Sequence, residues 1–379
     1  MPCATTIAVW TPPGRAAVAT LVLAGPEAWR LLRRHFRTRG APLPDEASCG
    51  RSYVGKLGEG DSALADEVVV GVKDAERIEI HCHGGPEVLR FLSQILVREG
   101  ATVCSWEEQQ ASLRVPAWRC DAMAALSRAP TLRTANILLD QLATTYGPWL
   151  ASLGEKIKAR APDALPMLDR CLAWAPLAEH LAEPWKVVIA GAPNVGKSSV
   201  INALAGFERS VVAPLPGTTR DLVTTKVAFD GWPITLIDSA GLRAAEDELE
   251  HAGTLLARTA LAEADLCLWV VDAAAPPVWP ADTVEKQQDR PHTRLVRVIN
   301  KIDLPAVWRL EDEALRVSAR TGEGIEDLRR HISAALVPRA PVPGDAVPPT
   351  PAATAILLDV RTCLETRQWP DALSRLAAR

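Results

Sequence analysis

Short apolar runs recur through the middle of the chain, each bounded by polar or Gly-bearing turns. Val187-Val188-Ile189, Ile234 to Ile237, Leu266 to Val271 and Val296 to Ile299 have the length and β-branched content of buried strands. Toward the N-terminus the pattern is mixed. Thr6 to Trp10 and Val18 to Leu23 read as strands, joined through a Pro/Gly turn at Thr11-Pro12-Pro13-Gly14-Arg15. Trp29, Leu32, Arg33 and Phe36 recur at helical spacing and predict a helix over Pro26 to Arg37. Strands follow at Asp66 to Val72 and Arg77 to Cys82. An amphipathic helix from Glu87 to Glu99 is apolar at Val88, Phe91, Leu92, Ile95 and Leu96.

Residues 117 to about 182 are rich in Ala, Leu and Arg and carry helical spacing at Asp121 to Ser127 and Thr131 to Thr145. Breaks are expected at Gly147-Pro148 and Ala161-Pro162-Asp163. Val337 to Pro351 has the composition of a semi-rigid extended linker. Thr354 to Ala378 then forms one or two amphipathic helices able to return onto the first helical segment. The expected layout is an α/β domain at 1–116, helices at 117–183, a mostly parallel α/β domain at 184–337, a linker at 338–351 and closing helices at 352–379. The central domain is thus an insertion in a helical one.

Composition narrows the class. A net charge of −4, with 23% charged and 48% hydrophobic residues, describes an ordinary soluble chain with no global nucleic-acid footprint. The 8 cysteines form no CxxC pair and no signal peptide precedes the first strand, so a reducing, cytoplasmic setting is expected. No apolar run approaches the roughly 20 residues that a membrane span needs. The 12 Trp are read as packing residues. His81 and His83 would share one face of a strand with no further ligands nearby, which speaks against zinc.

The chemistry concentrates in the central domain. Gly191-x-x-x-x-Gly196-Lys197-Ser198 follows a strand and opens a helix, the context that a phosphate-cradling loop requires. Main-chain N–H groups there favour negative charge. Asn194, Val195, Gly196, Lys197, Ser198 and Ser199 are the expected phosphate-facing set, with Lys197 on the β and γ phosphates and Ser198 on Mg²⁺. Thr218 and Thr219 lie in Pro216-Gly-Thr-Thr-Arg-Asp221; Thr219 is the candidate for a second Mg²⁺ oxygen and a γ-phosphate sensor. Asp238-Ser239-Ala240-Gly241 follows a strand and matches D-x-x-G, with Asp238 on Mg²⁺ through water and the Gly241 N–H on the γ phosphate. Asn300-Lys301-Ile302-Asp303 is the pattern in which one carboxylate accepts two N–H bonds from guanine. Adenine cannot supply that donor pair. Ser318, Ala319 and Arg320 would add a main-chain N–H to the guanine oxygen, and Lys301 would cover the base. The set implies GTP binding and excludes an ATPase. Leu242 stands where a Ras-type switch has a water-orienting Gln. Spacing leaves Glu246, Asp247, Glu248 and Glu250 open for that work, beside a plain solvated acidic helix start.

On these motifs, with Thr11-Pro-Pro-Gly-Arg15 and His83-Gly-Gly-Pro86, the chain resembles the MnmE (TrmE) family of tRNA-modification GTPases. The resemblance implies a P-loop GTPase domain inserted in an all-α domain and preceded by a folate-binding-like α/β domain. It also implies a homodimer, tRNA and an MnmG-type flavoprotein as partners, and a reduced folate as cofactor beside GTP, Mg²⁺ and K⁺. Asn194 would bind K⁺ with the carbonyls of Ala213 and Leu215 and with Thr218. The cation would neutralise transition-state charge as an arginine finger does. Glu250 becomes the expected catalytic residue, with Lys197 and Thr219. The chain departs from the family at three places. It ends Leu-Ala-Ala-Arg379 rather than in Cys-x-Gly-Lys. The F/Y-T-G-E-D segment reads Val72-Lys-Asp-Ala-Glu76, the folate-contacting Arg falls on Val22 and a later Lys on Arg119. The helical domain is shorter. Two functions follow: a GTPase serving wobble-uridine modification, or a divergent regulatory switch that keeps the GTP cycle and signals elsewhere, for example to ribosome assembly.

Overall fold

The structure, a computed structural model, describes residues 4–11, 14, 16–59, 64–113, 115–206, 224–238, 264–279, 294–309 and 313–377. The chain divides into two compact units, Met1–Cys120 and Asp121–Arg379.

The first unit runs β1 (Thr6–Val9), β2 (Val18–Ala24), α1 (Ala28–His35), β3 (Phe36–Thr38), β4 (Ser52–Gly58), β5 (Ala65–Asp74), β6 (Arg77–His83), α2 (Pro86–Arg98), β7 (Thr102–Val103) and α3 (Trp106–Ser112). Its seven strands are ordered β3-β4-β5-β6-β2-β1-β7, antiparallel except for β1 with β7. Alternate residues of the sheet, among them Leu21, Leu23, Val70, Ile78 and Ile80, bury against Leu31 and Leu32 of α1 and Leu92 and Ile95 of α2. The helix expected over 26–37 stops at His35. Phe36 instead opens β3, paired with Leu57, and buries in the same core. Strand pairing there gives the ring the apolar contact that one more helical turn would have supplied. On the opposite sheet face the Thr20 hydroxyl lies 3.0 Å from His81 Nδ1; where β5 begins and β6 ends, Asp66 Oδ1 lies 2.6 Å from His83 Nδ1.

The second unit is entered through α4 (Ala117–Arg128). It continues with α5 (Leu132–Asp140), a π-helical turn (Gln141–Thr145), α6 (Tyr146–Lys158), α7 (Ala164–Leu172), α8 (Ala175–Ala178), β8 (Trp185–Ala190), α9 (Lys197–Gly206), β9 (Thr224–Phe229), β10 (Trp232–Asp238), β11 (Leu266–Asp272), β12 (Arg294–Asn300), β13 (Leu315–Arg316), α10 (Ile325–Leu336), α11 (Pro351–Glu365) and α12 (Trp369–Ala377). Gly147-Pro148 does not break the helix. Pro148 lacks the N–H that would reach back to Thr144, but it lies in the first turn of α6, where that loss is tolerated, and the widened π turn ends directly before that helix.

The six strands are ordered β13-β12-β11-β8-β10-β9 and run parallel except β9. One core joins this sheet to the helices, with Ala125, Leu138, Leu177 and Leu181 packed beside Val187, Phe229, Trp232 and Leu236. Asp230 and Gly231 turn the β9–β10 hairpin, both at positive φ. α5 grips that turn: Thr131 Oγ1 donates to the Gly231 carbonyl at 2.6 Å and Arg133 Nη1 to the Asp230 carbonyl at 2.5 Å. The Arg133 guanidinium also lies 4.4 Å from the Trp232 ring centroid. After α10 the Pro-rich return is anchored. Buried Gln141 donates to the Asp345 carbonyl at 3.1 Å and accepts from the Val347 N–H at 3.0 Å, and the Gly344 N–H donates to Asp140. α11 then packs on α7, and α12 on α6. Among the described residues no helix is long and apolar enough to cross a membrane.

Candidate nucleotide site

Parallel strands place their carboxyl ends together, and the loops that leave them form the site. The Asp238 end of β10 lies beside the Ile189 end of β8, and Asp272 of β11 pairs with Asn300 of β12. Every described residue of the expected site sits on or just beyond these ends.

Two glycines let the first loop pass. Gly191 has φ +145°, and a β-carbon there would collide with the Val270 carbonyl oxygen. Gly196 has φ +93°, and a β-carbon would collide with the Asn300 side-chain amide. Between them Asn194 takes a left-handed conformation, φ +61°, and is exposed. Asn tolerates that region better than most residues. The loop then feeds α9, whose first main-chain N–H groups have no helical partner and form an anion-favouring end. Lys197 is buried at 8% exposure and bends back over the loop, Nζ lying 3.1 Å from the Gly191 carbonyl oxygen and 2.9 Å from that of Ala192. One ammonium and the amide-bearing end of a helix thus share the same loop. Val195 is buried under it, and Ser199 is exposed.

The Ser198 hydroxyl donates to Asp238 Oδ2 at 2.5 Å, and Asp238 is 5% exposed. A hydroxyl and a buried carboxylate converging on one point make a hard oxygen donor set of the kind Mg²⁺ takes.

The other wall is built from the loops after β12 and β13. Asn300, 2% exposed, ties the two loops together: Nδ2 donates to the Val195 carbonyl at 2.9 Å, and Oδ1 accepts from the Ala319 N–H at 3.0 Å. The Ala319 N–H, one of the main-chain groups in the Ser318–Arg320 stretch expected near the guanine oxygen, thus helps to hold Asn300 in place. Lys301 crosses to the phosphate loop, with Nζ 2.8 Å from the Asn194 carbonyl oxygen and 2.6 Å from Asp272 Oδ2. Asp272 was not part of the expected set. Its signal is positional: it ends the strand that pairs in register with Asn300. Asp303 accepts from Ser318 Oγ at 2.6 Å on Oδ1 and from Arg320 Nε at 2.8 Å on Oδ2. These bonds, the Ser318 hydroxyl first and the Arg320 guanidinium after it, hold its carboxyl below the usual carboxylate range. An ionised acceptor pair is what a base edge with two adjacent N–H donors requires.

The remaining expected residues, Ala213, Leu215, Thr218, Thr219, Ser239, Ala240, Gly241 and Glu250, lie outside the described residues.

Residues 186–301 match the family described as 50S ribosome-binding GTPase. Over most of its length the chain is similar to proteins named tRNA modification GTPase MnmE. One from Thermus thermophilus is 30% identical, with 88% of this chain and 82% of the relative covered. One from Koribacter versatilis is 33% identical, with 86% and 81% covered. One from Thermotoga maritima is 28% identical, also with 86% and 81% covered.

Proposed function

Because the chain belongs to the MnmE family of tRNA modification GTPases, we propose that its GTP hydrolysis serves modification of the wobble uridine of certain tRNAs. The chain is a GTPase. The observation that carries the reading is Asn300, which donates to the phosphate loop at the Val195 carbonyl and accepts from the Ala319 N–H, with Asp303 held by Ser318 in the neighbouring loops at the carboxyl end of the sheet.

In this reading the amides of residues 194–199 and Lys197 bind the phosphates. Ser198 and Asp238 hold Mg²⁺ together with Thr219, Asp303 reads the base while Lys301 covers it, and a main-chain N–H of the Ser318–Arg320 stretch faces the guanine oxygen. Ser239, Ala240 and Gly241 follow the γ phosphate. Asn194, with Ala213, Leu215 and Thr218, takes K⁺, which supplies positive charge beside the phosphates when bound. Glu250 orients the attacking water, since Leu242 cannot. Two G domains pair across the nucleotide face, and an MnmG-type flavoprotein shares the tRNA. The G domain is an insertion between helices 117–183 and 352–379, behind a folate-binding-like domain at 1–116. The packing of α11 on α7 supports the insertion.

One observation favours a second reading. Val22, at the place of the family's folate-contacting Arg, is wholly buried, and its carbonyl accepts from Gln109 Nε2 at 3.0 Å. A buried Val offers a folate nothing, so a GTP cycle that serves a different partner is the competing function. Deleting the gene and measuring modified wobble uridine by mass spectrometry separates the two. Loss of the modified nucleoside supports the first; an unchanged level rejects it and leaves the GTPase intact.

A further inference from the structure

We infer that Arg320 is a positioning residue for base recognition: its guanidinium fixes the plane of the Asp303 carboxylate so that both oxygens meet the guanine edge together. The inference rests on the GTP-binding reading above and names how that site obtains its specificity.

Asp303 stands on a loop. It follows Lys301, which is at positive φ, and residues 303–309 form no helix or strand. Beside a bond from its own main chain, two side chains from the loop after β13 hold its carboxylate, and they take different oxygens. Ser318 Oγ holds Oδ1, and Ser318 is fully buried. Arg320 donates one hydrogen bond to Oδ2, from Nε at 2.8 Å, and its Nη2 lies at ion-pair distance from the same oxygen. A single donor leaves a carboxylate free to rotate about its last bond, whereas donors on both oxygens define its plane.

The Arg320 side chain is 75% exposed and that of Asp303 only 10%, so the guanidinium covers the carboxylate from the solvent side. Each carboxylate oxygen accepts about two hydrogen bonds. The lone pairs that Ser318 and Arg320 leave can take two adjacent N–H donors of a base. A lysine would supply the charge without the fork.

Guanine differs from hypoxanthine by its 2-amino group, so it offers the second donor of that pair. Preference for GDP over IDP therefore measures whether both oxygens are aligned. Binding of labelled GDP and IDP to the full chain is compared for the native protein, Arg320→Ala and Arg320→Lys, with thermal melts alongside. Arg320→Ala should weaken GDP about tenfold, the loss expected for one charge-assisted bond, and leave IDP within about threefold. The preference should then collapse, and Arg320→Lys should not restore it. Equal losses for the two nucleotides would make the residue merely structural and overturn the inference. So would an unchanged GDP:IDP ratio, or full restoration by lysine. Failure of the native chain to bind GDP would instead strike at the GTP-binding reading itself.

Discussion

Replacing Asp303 by Asn tests base recognition with almost no change in volume. The native carboxylate has both oxygens available as acceptors, one steadied by Ser318 and the other by Arg320. An amide at this position keeps one acceptor and puts two N–H donors where the other was. Facing guanine, those donors meet the N–H groups of the base edge. One hydrogen bond to a charged group is lost, worth about 1.5–3 kcal/mol, and the other weakens to a neutral one, a further loss of about 1.5 kcal/mol. The sum, about 3–4.5 kcal/mol, corresponds to roughly two to three powers of ten in Kd. Xanthine carries a 2-oxo group, an acceptor, so the same amide should bind it. Titrating the Asp303→Asn protein with GDP and XDP should therefore show GDP affinity falling at least a hundredfold while XDP affinity rises above that of the native chain. Unaltered GDP binding in a variant with a native melt would refute the assignment of Asp303 as the base reader. The pH dependence has a definite sign. The folded carboxyl sits below its ordinary value, so it stays ionised, and GDP affinity stays flat, as pH falls from 7 to 5. Its contribution to folding is present above the unfolded value, about 3.9, and is lost only as pH falls through the lower folded value.

Three more outcomes are expected. GTP turnover should be several-fold faster in KCl than in NaCl at equal ionic strength, on the proposed role of Asn194; equal rates would remove the potassium site. Glu250→Ala should slow hydrolysis by about 10²-fold or more, the range of a lost general-base contribution, with GTP affinity retained, as read by single-turnover kinetics and titration. Loss of affinity there would argue against a purely catalytic role. Gly191→Ala should cost about 1–3 kcal/mol of backbone strain, because φ +145° and the Val270 carbonyl both oppose a β-carbon; a native melting temperature would show that the loop can shift without penalty.

The site was legible where function constrains residue identity at fixed spacing. Gly191, Gly196 and Lys197 must be those residues because a close backbone approach, a left-handed turn and a cation are each needed, and four continuous apolar strands announced the sheet beneath them. What stayed hidden depends on contacts between distant segments. Asp272 looks like any polar residue ending a strand until β11 and β12 are paired. Phe36 fits a helical period as well as it fits a strand, and only Leu57 across the ladder decides between them. β4 escaped because Ser52-Tyr-Val-Gly-Lys-Leu-Gly58 mixes two glycines with polar residues, and its order comes from the neighbours on either side.

The same reasoning applies to the Pro-rich return. Composition measures what a stretch does when nothing touches it, and a segment dense in Pro reads as a spacer. Here Gln141 supplies a matched donor and acceptor to two main-chain groups of that stretch, and Val347 is buried in the core shared with the sheet. Proline lowers the entropy lost when a segment is held in one shape, so few hydrogen bonds suffice to hold it. The Gln141 side chain is placed by the π turn, and that turn ends just before the helix in which Pro148 withholds an N–H. A proline expected to end a helix therefore lies close to the widened turn whose glutamine fastens the return from α10 to the helices before β8.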